Sequence, residues 1–380
     1  MSSHNLDSSK KGQITLTFNW IYVLIAGTII LLFFVGIVMT QKTVSEKRLS
    51  SDIVQILDSI FTGATVSEQT KNFIDISGLS GFTLDFQCEI DREFGEEGSL
   101  KDIFSSYGLK DTSARVDTPI EAIFAPREIK GKELIVWSMP YTFPFKVMDL
   151  LFVTSSNTKY FVVGGSGNPP FKQELKDTMD GLNVEFDLPL ASATIGNNFH
   201  IKIVDLGNVL SEGMNLPEGL MDIDDSKISG VSIHRATKKV TFYKAKNGIF
   251  QKTRSTDIDI ISMPSQERDA AQFAAIFSSD DESYRCNMMK VFKRVELVSS
   301  VHQNKKEALN DYYQTAIINP TTASTCSTIL SSDDSIHRLL TDAQTCTLVG
   351  YNECFRMQEF ALSLKESNGE LYNSECVRIY

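Results

Sequence analysis

The chain of 380 residues reads as a mixed α/β protein: an N-terminal transmembrane helix continuing into a stalk, a mixed-sheet domain with a βαβ unit, and a C-terminal helical region. Three patterns predict this. No charged side chain occurs from Gly12 to Gln41. Between residues 80 and 262 apolar and polar residues alternate at strand period, interrupted once by helical spacing. From Pro264 onward apolar residues recur every three or four positions. The expected divisions are a cytoplasmic leader (1–19), the membrane helix (20–40), a juxtamembrane helix (41–63), the α/β domain (80–262) and a cysteine-containing helical region (263–380).

The stretch Trp20–Met39 is the densest apolar run. Twenty residues at a rise of ~1.5 Å span roughly 30 Å, the thickness of a bilayer's hydrocarbon core. Trp20 and Tyr22 stand at its start, where interfacial aromatics belong, and Leu31 and Phe34 fall inside it, facing lipid. A cleaved secretory signal has a shorter apolar stretch, about 7–15 residues, and ends in small residues. An uncleaved anchor is therefore expected, with the protein in the cell membrane as a single-pass chain. Lys10 and Lys11 precede the helix, and Lys42, Lys47 and Arg48 follow it, so the positive-inside count does not orient it. A short N-terminus before one apolar helix, together with the cysteines below, places the C-terminal part outside. Leu49, Ile53, Ile56, Leu57, Ile60 and Phe61 continue a helical stripe without Pro or Gly, predicting a rod that ends at Gly63.

Lys10-Lys11-Gly12-Gln13 directly before this helix resembles the class III signal of archaeal type IV pilin-like proteins. The resemblance implies cleavage after Gly12 by a prepilin peptidase, with Gln13 starting the mature chain. Thr15 replaces the Ser of that family's Q-x-S-x-E pattern, and Thr17 stands where the family has Glu, a residue that assists subunit assembly. The match covers about 30 residues. The whole chain also resembles uncharacterised single-anchor membrane proteins of small-genome archaea, which implies no activity.

Strand signals follow the rod. Phe82, Leu84, Phe86 and Cys88 alternate with Thr83, Asp85 and Gln87, and Glu133–Ser138 is a short apolar run. Val147–Thr154 and Lys159–Val163 flank Ser155–Thr158 as a hairpin or as two separately placed strands. Phe171, Leu175 and Met179 then recur every four residues, Gly181 caps them, and Val184, Phe186 and Leu188 alternate, which reads as a βαβ unit with parallel pairing. Phe199–Val204 is a further strand, Val231–His234 and Lys239–Tyr243 form a hairpin, and Asp257–Ile261 closes the sheet. Helices are expected from Pro264–Ser265 through Phe277, from Asp281 to Tyr313, from Ser335 to Cys346 and from Glu353 to Tyr372.

Hydrophobic content of 42% and charged content of 22% are enough to bury a core and exclude a wholly disordered chain. The net charge of −11 repels nucleic acid and anionic head groups. The expected partners are the lipid bilayer and a protein, or a second copy in self-assembly. The six cysteines are Cys88, Cys286, Cys326, Cys346, Cys354 and Cys376. None forms C-x-x-C, and the spacings match no zinc ribbon or finger, so disulfides in an oxidising compartment are the preferred reading, with connectivity left open.

Gly164, Gly165, Ser166 and Gly167 lie between a strand and a helix, where backbone N–H groups and a helix N-terminus attract anions. They are the one candidate cofactor-binding turn, although they fit neither the P-loop nor G-x-G-x-x-G, and Pro169 and Pro170 lack N–H donors. A plain βα loop is the alternative. Asp222, Asp224 and Asp225 offer clustered carboxylates for Ca²⁺ or a solvated acidic loop. His200 and His234 lie on strands and are either neighbours or separate structural residues. No catalytic set, cofactor motif or metal site is assigned. The expected function is a membrane-anchored surface or envelope protein with a non-catalytic binding or assembly role; the alternative is a tethered α/β enzyme or small-ligand-binding domain.

Overall fold

The computed structural model describes residues 11–66, 70–79, 83–91, 102–110, 112, 114–164, 169–187, 198–263, 269–315, 320–349 and 351–380. The first element, α1 (Lys11–Val66), is one helix of 56 residues, about 84 Å long. It passes Gly63, where the sequence predicted its end. A glycine inside a helix costs only about 1 kcal/mol, and here Phe61 and Ala64, on either side, are both buried against the head. In its apolar part, side chains are described only for residues 23–36. Among the described residues no helix is long and apolar enough to cross a membrane. Leu31 and Phe34 are exposed; Met1–Lys10 and the side chains of Trp20 and Tyr22 lie outside the description.

The strands form three sheets. The first has the order β1 (Asn72–Asp75), β7 (Glu133–Thr142), β8 (Lys146–Ser155), β5 (Ile123–Phe124), and the second β4 (Arg115–Asp117), β3 (Asp102–Leu109), β2 (Leu84–Asp91), β6 (Glu128–Ile129). In the third the order is β10 (Val184–Phe186), β9 (Thr158–Val163), β11 (His200–Asp205), β12 (Ile228–His234), β13 (Lys239–Lys246), β14 (Ile249–Lys252), with β15 (Ile258–Asp259) also on β13. β10, β9, β11 and β12 are mutually parallel, and β12–β13–β14 is an antiparallel meander. Strand β9, helix α2 (Pro169–Met179) and β10 make the expected βαβ unit. The apolar runs at 147–154 and 159–163 are separately placed strands: β8 joins the first sheet and β9 the third, across the turn at Ser156–Asn157.

Alternation along each strand feeds three cores. On the outer face of the first sheet, Leu134, Val136, Leu151 and Val153 meet Ile53, Val54, Leu57 and Phe61 of α1 and Leu84, Tyr107 and Leu109 of the second sheet. This docks the end of the rod. The Ser138 hydroxyl donates to the Ala64 carbonyl at 2.8 Å, and the Tyr107 hydroxyl to Asp58 Oδ1 at 2.9 Å. On the inner face of the first sheet Ile135, Trp137 and Phe152, with Tyr160, Val204 and Val231 of the third sheet, surround α3 (Ala270–Phe277), all eight residues of which are buried. Its N-terminus is capped by Asp269, which accepts from the Ala271 N–H; Pro264–Arg268, where the sequence placed the start, lie outside the described residues. The third core lies on the far face of the third sheet, where Ile201, Ile203 and Phe250 are covered by Leu210, Leu216, Leu220 and Ile223 of the β11–β12 connection.

Helices α4 (Asp281–Thr315), α5 (Pro320–Ser332), α6 (Ser335–Val349) and α7 (Met357–Asn373) share the central core with both flanking sheets, so the change of composition near residue 262 is not a gap in packing. Three disulfides bind them. Cys88–Cys286 joins β2 to α4, Cys326–Cys376 joins α5 to the C-terminal segment, and Cys346–Cys354 closes the α6–α7 connection. Two further contacts reinforce the first link: Asn287 Oδ1 accepts from the Ile123 N–H at 3.2 Å, and Lys290 Nζ donates to the Thr118 and Glu121 carbonyls at 2.7 and 2.5 Å.

Candidate functional site

The third sheet reverses its direction of winding between β9 and β11. From β9 the chain goes through α2 to β10 on one side; from β11 it goes to β12 on the other. Phe171, Leu175 and Met179 of α2 pack on one face and Leu210, Leu216 and Leu220 on the opposite face. The two connections therefore splay apart at the carboxyl ends of adjacent parallel strands, the usual position of a ligand crevice in open α/β sheets.

Backbone geometry at this point is tightly constrained. Gly164 has φ +74°, and a Cβ there would lie 2.6 Å from the Gly207 nitrogen, so only glycine lets the turns after β9 and β11 touch. Asp205, the last residue of β11, is fully buried and shapes the second turn. Its carboxylate accepts from the Gly207 N–H at 2.8 Å, from the Leu210 N–H at 2.9 Å and from the Ser232 hydroxyl. These bonds tie β11 to β12 and leave Asn208, at φ 58°, exposed on the rim.

Beside the switch point lies a crevice of about 580 Å³. Its floor is the buried Phe171 ring, over which the Arg235 guanidinium stacks at 4.3 Å. His234, Asn208 and Asp257 also line it. The Thr241 hydroxyl donates to Asp257 Oδ1 at 2.7 Å and lies 3.2 Å from His234 Nε2. With the Thr241 proton committed to Asp257, Nε2 is the donor of that pair. Partial burial pushes the Asp257 carboxyl up, but the Thr241 hydroxyl bond and the Lys252 ammonium outweigh it and hold the group below the usual carboxylate range.

A second cleft, of about 680 Å³, opens at the amino ends of the same strands. It contains His200, so His200 and His234 are not neighbours. In the parallel register Ile201 faces Ile228, which puts the two imidazoles at opposite ends of the sheet. Burial, then the nearby Lys227, keeps the His200 pKa below its ordinary value. Lys202 lines this cleft but donates to the Ser278 carbonyl at 2.9 Å, at the C-cap of α3, where a cation is favoured. Burial lowers its pKa to about 8. That lysine caps a helix and has little freedom for chemistry.

Of the glycine-rich turn only Gly164 is described; Gly165, Ser166 and Gly167 lie outside the described residues. Asp224 caps a short 3-10 turn by accepting from the Ser226 N–H at 2.8 Å and the Ser226 hydroxyl at 2.6 Å, and Asp225 accepts from the Gly248 N–H at 3.4 Å. Among the described residues no three His, Cys, Asp or Glu side chains converge in a metal-binding arrangement. Sequence reasoning missed Arg235, Asn208, Asp205 and Asp257. The first reads as an ordinary hairpin-turn residue, and the connection of more than twenty residues between β11 and β12 hides their parallel pairing. Comparison with known proteins finds no matching family model, no similar curated protein and no similar solved structure.

Proposed function

We propose that this is a single-pass membrane protein whose disulfide-linked α/β head stands outside the membrane in a non-catalytic binding or assembly role. One observation carries the reading. The large apolar side chains from Val23 to Val35 are between 42% and 69% exposed, all round one helix, while the same helix buries Ile53, Val54, Leu57 and Phe61 in the head. A helix apolar on every face needs an apolar solvent. The sequence continues uncharged on both sides of this stretch, from Gly12 to Gln41. Three disulfides among the described residues, with no free cysteine, support an oxidising side for the head. The expected lipid and protein partners belong to this proposal.

Carbonate extraction of cells expressing the full chain, with protease protection of a C-terminal tag, tests it. The wild type should stay in the membrane pellet with its tag cleaved by external protease. Ile30→Lys with Phe33→Lys places two charges at the centre of the span, each costing about 2.5–3.5 kcal/mol on insertion scales, and should release the chain. A wild type that extracts at alkaline pH sinks the anchor, and a protected tag reverses the orientation. The pilin-like case predicts a mature N-terminus at Gln13; N-terminal sequencing that reads Met1 or Ser2 removes it.

A second reading, a tethered enzyme or ligand-binding domain, is favoured by the crevice at the carboxyl ends of β11 and β12.

A further inference from the structure

Among the described residues, the Arg235 guanidinium stands without a counter-charge on the wall of the crevice. Arg115, Arg338 and Arg356 each form an ion pair, at 2.9, 3.1 and 3.1 Å. Arg235 has no hydrogen-bond or ion-pair partner among the described residues, although it is half-buried in the wall of a crevice. The carboxylate that lines the same crevice, Asp257, is engaged elsewhere, with Thr241 and Lys252. The Phe171 ring at 4.3 Å holds the guanidinium by its flat face and leaves its N–H edge, the edge that grips an oxyanion through two parallel bonds, free. Phe171 belongs to the first turn of α2, which fixes the ring under the guanidinium. Asn208, also without a hydrogen-bond partner among the described residues, adds an amide donor at the rim.

We propose that this crevice binds a small organic oxyanion, a carboxylate or phosphate ester, with Arg235 as its anchor and Asn208 as a second donor. The switch-point topology, the open crevice and the unpaired cation held against Phe171 are separate observations that converge on one place. The proposal does not depend on the membrane anchor, and its test reads only ligand binding.

Isothermal titration of the full-length chain in non-ionic detergent, with inorganic phosphate and with malonate as probes, provides the test. Saturable binding of at least one probe is expected, and which one is tighter assigns the oxyanion. Arg235→Gln should weaken binding about tenfold or more, the usual consequence of losing a charge-assisted pair. Arg235→Lys keeps the charge without the fork and should fall between the two. Asn208→Ala should weaken binding about threefold and lower the unfolding midpoint, because Ala is strained at the left-handed backbone there (φ 58°). Absence of saturable binding to either probe overturns the proposal. So does Arg235→Gln, or Asn208→Ala with Arg235→Lys, binding as tightly as the wild type.

Discussion

Replacing Lys290 with Met should abolish most of the alkaline rise in the protein's stability. Lys290 is 3% exposed, and burial lowers its pKa from 10.5 to about 7. Between those values the unfolded chain binds the proton more tightly than the folded one, so unfolding becomes harder as pH rises through that window. For a shift of this size the gain from pH 7 to pH 9 is about 2 kcal/mol, with each unit of pKa worth about 1.4 kcal/mol. Met fills similar volume but cannot serve the Thr118 and Glu121 carbonyls that Lys290 holds. The variant should thus lose about 1–3 kcal/mol at pH 9 from orphaned acceptors and also lose its dependence on pH. Urea unfolding at pH 7, 8 and 9, with disulfides intact, separates the two effects. Lys202, its pKa lowered to about 8, contributes a smaller slope of the same sign to both proteins. If Lys290→Met keeps the wild-type slope, Lys290 is paired in the fold strongly enough to stay charged, and the reasoning fails.

Removing the three disulfides one pair at a time by Cys→Ser should rank with loop length. Cys88–Cys286 closes 198 residues, Cys326–Cys376 closes 50 and Cys346–Cys354 closes 8. The chain-entropy relation then gives losses of about 5, 4 and 2.5 kcal/mol, measured as unfolding free energies. Asp205→Ala removes three hydrogen bonds at a fully buried carboxylate and should cost about 2–4 kcal/mol in denaturant unfolding. Phe61→Ala empties the place where α1 meets Phe86 and Tyr107 and should cost about 3–5 kcal/mol.

The βαβ unit was legible because its signal is a change of period: Phe171, Leu175 and Met179 at four-residue spacing between two alternating runs. The 228–246 hairpin was legible for a similar reason, two apolar runs across one short turn. What failed depends on partners distant in sequence. Asp85 reads as the solvent side of a strand, yet it is buried against Arg115, thirty residues on. Helix α5 was missed because its Thr- and Ser-rich sequence has weak helical propensity; only Ala323, Cys326 and Leu330 are buried along it, and the Cys326–Cys376 link holds them. The candidate site was least visible. Its position follows from parallel pairing of β11 with β12, and its anchor, Arg235, is conspicuous only because Asp257, the carboxylate lining the same crevice, has other partners. The glycine-rich turn contributes Gly164 to the description, and the Arg235 cation comes from a different turn.

The layers also determine how the crevice relates to the rod. Along β7, neighbouring residues face opposite ways: Ser138 bonds the end of α1, and Trp137 packs edge-on against Phe277 of α3 at 4.7 Å. Phe277 in turn meets Tyr160 of β9 at 5.4 Å, and the Tyr160 hydroxyl bonds Thr154 of β8 at 2.7 Å. The third sheet is thus joined to α1 through packed aromatic rings and two hydrogen bonds, and Cys88–Cys286 adds a covalent link between the sheet beside α1 and the helix beside α3. A head hung on a flexible linker would leave its binding face free to turn. Here the last turns of α1 are part of the core, so the direction of the rod sets the direction in which the β11–β12 crevice opens. For a protein proposed to stand in a membrane, that coupling matters more than the stability it adds, because a ligand held at Arg235 would meet the surface of the cell at one orientation.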